Sequence, residues 1–146
     1  METRIKIDQV LPDGYKAMLT FSAAGKPKYL NPLQTELIKI RTSQINGCAF
    51  CLNMHTIDAR RLGETEQRIY TLSAWRETPY FSEEEQAILA LTEEVTLIHQ
   101  HVSEKTYAQA AKILNEKQIA EVIMTAIVIN SWNRIAIATE MMAPRN

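Results

Sequence analysis

Apolar residues recur at three- and four-residue intervals along almost the whole chain, and no stretch alternates apolar with polar positions for long. That is the pattern of amphipathic helices rather than strands. The chain has only 4 glycines and 5 prolines, so the breakers that do occur mark element ends. Gly25 and Pro27 close a first helix over about 13–24. Asn31-Pro32 is a cap followed by proline at the first helical position, opening a helix to about 45. Asn46-Gly47 breaks it. A third helix covers about 48–62, with Arg60 and Arg61 in its last turn and Gly63 just beyond. Thr78-Pro79 stops a fourth helix over about 66–76. Ser82 to Glu85 forms a capping box for a fifth, running to about 99. Ser103 caps a sixth to about 115, and a seventh covers about 117–142.

These elements predict an all-α fold: a single-domain helical bundle of about seven helices spanning 1–146, with no linker, internal repeat or low-complexity segment. The seventh helix is apolar on most of its circumference, from Ile119 through Val122, Ile123, Ile127 and Ile129 to Ile137. Such a helix needs cover on every side, and a bundle of 146 residues has few fully surrounded positions. The pattern therefore predicts a homo-oligomer. Asn130, Ser131, Asn133 and Arg134 interrupt the apolar run, so no membrane span is expected.

Charge narrows the classes further. Sixteen basic and seventeen acidic residues leave a net charge of −1, with both signs mixed along the chain. No polybasic footprint for nucleic acid is present. The N-terminus has no apolar core of the signal-peptide kind, which points to the cytoplasm, where thiols stay reduced.

The chemistry concentrates in one place. Cys48 and Cys51 are the only two cysteines, and His55 follows four residues later. On a helix, positions 48, 51 and 55 share one stripe. Cys48 at the helix start would face unpaired backbone N–H groups, which favour a negatively charged sulfur. Cys51 stands one turn before His55, which can take a thiol proton and return it to a leaving alkoxide. Glu36, on the preceding antiparallel helix, is the candidate that orients His55. Its other reading is an ordinary first-turn carboxylate.

Rival readings use the same residues. Cys48, Cys51 and His55 are three zinc-compatible ligands, with Glu36, His99 or His101 as a fourth, yet no second Cys-x-x-Cys follows. The two thiols can also pack as inert small hydrophobes. His99 and His101 read as a solvated helix end, and Trp75, Tyr80, Phe81 and Trp132 as packing residues.

Glu36, eleven residues, Cys48-x-x-Cys51, three residues and His55 together resemble the core motif of the alkyl hydroperoxidase D group, within the carboxymuconolactone decarboxylase-like superfamily. Arg41 to Cys48, Asn53-Met54-His55, Ala74 to Pro79 and Asn130 to Arg134 continue the likeness over about residues 30–140, with the motif region at about 30–80. The resemblance implies an all-helical fold assembled as trimers or hexamers, and a peroxidase running a Glu–His–Cys proton relay. It assigns peroxide attack to Cys51 and resolution to Cys48, where the helix-start argument favours Cys48. Ala49-Phe50 lacks the histidine some members carry between the cysteines. True decarboxylases of the superfamily generally lack the cysteine pair, which argues against decarboxylation here. The function expected is reduction of hydroperoxides by a dithiol/disulfide cycle, with no metal or organic cofactor and a thiol or lipoyl-bearing reductant. The alternatives are a zinc-binding helical module and a redox sensor or chaperone.

Overall fold

The computed structural model describes residues 3–144, and every regular element among them is helical. In chain order these are α1 (Ile7–Val10), α2 (Pro12–Ala24), α3 (Pro32–Asn46), α4 (Ala49–Arg61), α5 (Glu66–Thr71), α6 (Glu83–Thr96), α7 (Glu104–Ile113) and α8 (Glu116–Thr139). Short 3-10 turns cover Leu72–Glu77 and Ile98–Gln100.

The capping chemistry sets the boundaries. Asn31 and Gln34 form a reciprocal box at the start of α3, Ser82 and Glu85 at α6, and Asn115 and Gln118 at α8. Each satisfies two backbone donors that a helix start leaves open. Four details depart from the sequence expectation. α1 was not anticipated. The segment expected as one helix over 66–76 kinks at Ala74 (φ −120, ψ 31), so a 3-10 turn follows α5. His99 stands in a separate turn beyond the end of α6, and His101 follows with φ 63. Cys48 is the N-cap of α4 rather than a member of its first turn.

α3 is the central strut, packed against α4, α6 and α8. One apolar cluster joins Ile38 of α3 to Ile88 and Leu91 of α6 and to Ile119, Val122 and Ala126 of α8. A second joins Leu37 and Ile40 to Ala59, Leu72, Trp75 and Leu89. Trp75 and Phe81 are therefore packing residues, as expected. α8 is not surrounded: Met124, Ile127 and Ile137 stand exposed while Val122, Ala126 and Ile129 are buried. By length and composition α8 would suffice to cross a membrane. Its buried Asn130 and Asn133 instead both accept from Asn46 Nδ2 at 2.9 Å, tying it to α3.

Glu93 clamps the second cluster. Its Oε1 accepts from Arg41 Nε at 2.8 Å and Trp75 Nε1 at 2.9 Å, and its Oε2 pairs with Arg76. Burial works against ionisation of this carboxyl, but the bonds from Arg41, Arg76 and Trp75 outweigh it and hold it below the usual carboxylate range. A depressed native pKa gives stability that is present above the unfolded value and is lost as the pH falls through the folded one. Glu93→Gln should therefore lose about 2–3 kcal/mol near neutral pH. In denaturant titrations the gap from wild type should close under acid conditions. A gap of equal size at both pH values would contradict the assigned role of the charge.

Candidate functional site

The site is assembled at the α3–α4 corner. α3 ends at Gly47, whose left-handed backbone (φ 71, ψ 34) is cheap only for glycine. The reversed chain enters α4 with Cys48 in the extended N-cap conformation (φ −86, ψ 95). There Cys48 Sγ accepts the Cys51 backbone N–H at 3.4 Å, taking the place of the usual cap oxygen. Both thiols are free and buried. They pack with Ile129 and Ala136 of α8, beside Phe50, Trp132 and Met141.

Reversal sets α4 alongside α3 and brings His55 to Glu36. His55 Nδ1 lies 2.8 Å from Glu36 Oε2, both groups buried, and Lys39 Nζ lies 2.8 Å from Glu36 Oε1. Burial alone would raise the Glu36 pKa. The hydrogen bonds from His55 and Lys39 reverse that and hold the carboxyl below its usual range. An ionised Glu36 accepts from Nδ1–H, which leaves the lone pair of neutral His55 on Nε2. Cys51 is in the opposite condition: burial first, then the neighbouring Cys48 sulfur, push its thiol up to about 12, with Asn133 partly offsetting them. At rest Cys51 is a thiol, and it needs a base to become a nucleophile.

A cavity of about 650 Å³ opens onto this group. Cys51, His55, Glu36 and Lys39 line it, and Cys48 does not. Most of the wall is apolar, including Leu30, Phe50, Met54, Val128 and Ile129. α2 supplies the outer wall with Tyr15, Leu19, Ser22 and Ala23. It is held there by a 2.7 Å bond from Trp132 Nε1 to Ser22 Oγ and an edge-on Tyr15–Trp132 contact at 5.6 Å.

All four sequence candidates, Glu36, Cys48, Cys51 and His55, thus meet at one place. Trp132 packs against the thiol cluster, as expected, and also forms part of the cavity wall. Lys39 escaped the sequence reading, although its position three residues after Glu36 puts it on the same helix face. The α2 and α8 walls carried no sequence signal of their own. Among the described residues, the ligand atoms that converge within 4.8 Å are those of Glu36, His55 and Asp58, not the Cys48–Cys51–His55 set of a zinc module. That trio also suits a cation poorly, because His55 and Lys39 already occupy both Glu36 oxygens. His99 and His101 lie on an exposed turn and are absent from the cavity wall.

Comparison with known proteins identifies the family and the fold. Residues 12–94 match the model of the carboxymuconolactone decarboxylase family. The uncharacterized protein YdfG of Bacillus subtilis (strain 168) is 45% identical over 139 residues, covering 94% of this chain and 95% of that one. A crystal structure from Agrobacterium tumefaciens, of unknown function and described as a candidate antioxidant defence protein AhpD, superposes with a TM-score of 0.95 at 32% identity over 99% of this chain and 100% of that one. The debrominase Bmp8 shares the fold at a TM-score of 0.82, with 17% identity over 91% of this chain and 72% of that one. With the match running through both helices that hold Glu36, Cys48, Cys51 and His55, the chain belongs to the carboxymuconolactone decarboxylase family.

Proposed function

We propose that the protein is a thiol-dependent peroxidase reducing organic hydroperoxides, with Cys51 attacking the peroxide and Cys48 resolving the product. The observation that carries this reading is that Cys51 and His55 line one apolar cavity while Cys48 sits behind Cys51, outside the wall. The thiol that meets substrate is then the one with a base one turn away. This favours the order given by the family likeness over the helix-start argument for Cys48.

His55 Nε2 takes the Cys51 proton as substrate enters. The thiolate attacks the outer peroxide oxygen, forming S–O and breaking O–O, and the departing alkoxide takes the proton back from His55. Cys51 is left as a sulfenic acid. Cys48 sulfur attacks it, forming S–S and releasing the oxygen as water with the Cys48 proton. An external dithiol, a small thiol or a lipoyl-bearing partner, reduces the disulfide by two electrons. One hydroperoxide and one dithiol thus become one alcohol, one water and one disulfide. The cavity suits an organic group: its 650 Å³ lies in the range of drug-sized ligands and far exceeds the roughly 30 Å³ share of a water molecule.

The reading extends to assembly as a trimer or hexamer, supported by the exposed Met124, Ile127 and Ile137 on α8. Light scattering should give a mass several times 16.7 kDa. A clean monomer that turns over peroxide would remove this part.

Two further measurements test the chemistry. Mild oxidation should remove two hydrogens from the intact chain, because residues three apart at a helix start bring their α-carbons to about 5–6 Å. Two persistent free thiols after stoichiometric peroxide would refute the cycle. In a peroxide-consumption assay with added dithiol, Cys51→Ser should be inactive, and without added thiol Cys48→Ser should halt after one turnover with Cys51 oxidised. Glu36→Gln should lose about ten- to a hundredfold in kcat/KM with the fold intact. Undiminished turnover by Cys51→Ser would sink the proposal.

A further inference from the structure

We infer that Lys39 is a positioning residue of the proton relay: its ammonium occupies one oxygen of Glu36 and so turns the other onto His55. The inference rests on the assignment of Cys51 and His55 above and adds a fourth member to it.

The carboxylate of Glu36 is gripped from two sides, by Lys39 Nζ at Oε1 and His55 Nδ1 at Oε2, each at 2.8 Å. Rotating the carboxylate breaks both bonds at once. A pair three residues apart on an exposed helix face contributes little and places nothing. Here the carboxyl side chain is only 9% exposed and the lysine lines the cavity beside Cys51 and His55.

The charges around Glu36 show why a cation is needed. α4 presents His55 and Asp58, whose ligand atoms lie within 4.8 Å of Glu36 and of each other. Asp58 is itself paired with Arg61 at 3.4 Å. α2 brings Tyr15 to the cavity, the segment after it brings Lys26, and the α8 wall is made of Thr125, Val128, Ile129, Trp132 and Ala136, none of which titrates. Burial works against a charged Glu36; the hydrogen bonds from His55 and then Lys39 offset it, and Lys39 is the lysine cation in direct contact with the carboxylate.

Neutralising Glu36 would undo the relay. A protonated Glu36 donates to Nδ1, which moves the imidazole hydrogen to Nε2 and removes the lone pair that must take the Cys51 proton. In the intact site the Cys51 S–H bond breaks, Nε2–H forms, and Glu36 and Lys39 both keep their charge.

The test reads the thiol directly, so it stands whether or not peroxide is the substrate. In a Cys48→Ser background Cys51 is the only cysteine left. Its alkylation by iodoacetamide is followed by intact mass across pH. Lys39→Met should move the acid limb of the alkylation rate up by about one pH unit, a roughly tenfold loss at neutral pH. Lys39→Arg, which keeps the charge, should restore the rate to within about threefold. Lys39→Gln, which keeps a donor without charge, should resemble Met, and it carries the test if the Met variant does not fold. An unmoved pH profile in the Met or Gln variant, whatever happens to the melting temperature, would overturn the inference and leave a structural ion pair.

Discussion

At Gly47 the chain adopts φ 71, ψ 34 and reverses, and the geometry of the site descends from that turn. The reversal makes α4 antiparallel to α3, which sets residue 55 beside residue 36. It also delivers Cys48 in the extended conformation that an N-cap requires, so that its sulfur meets the backbone N–H of Cys51. A Cβ added at Gly47 would meet nothing within 4 Å. The constraint is therefore in the backbone itself: any L-residue other than glycine is disfavoured in this left-handed region.

The turn would be of little use if α3 could slide. Buried polar contacts give it a register. Asn46 reaches Asn130 and Asn133, Asn133 donates to Ser43 Oγ at 3.0 Å, and the Thr42 and Thr96 hydroxyls meet at 3.2 Å. Apolar packing tolerates a shift of one turn better than these bonds do, since each orphaned group would cost about 1–3 kcal/mol. The polar residues inside α8, Asn130 and Asn133, are the ones that dock it on α3. The same docking sets Asn133 beside Cys51.

The resulting site combines a dry wall with one polar corner. A desolvated Cys51 stays protonated, whereas Glu36 stays charged because it has partners on both oxygens. Two ionisable groups pushed in opposite directions within one cavity are a common mark of proton-transfer chemistry. The apolar wall from α2, α4 and α8 adds room for an organic molecule.

Much of this was legible in the chain. The capping residues Asn31, Ser82 and Ser103 delimit helices because their side chains answer local backbone donors, and local rules need no tertiary information. The spacing of Cys48, Cys51 and His55 on one stripe is equally local. Glu36 stood on the boundary: its sequence position allowed a surface carboxylate, and only the packing of α3 on α4 buried it and gave it His55. The kink at Ala74 and the helix end at Thr96 were decided by tertiary packing, which overrides weak propensity. The same holds for the cavity. Its wall joins Tyr15, Lys39, Met54 and Trp132 from four helices, and no periodicity within one helix reports which faces of separate helices will leave a space between them.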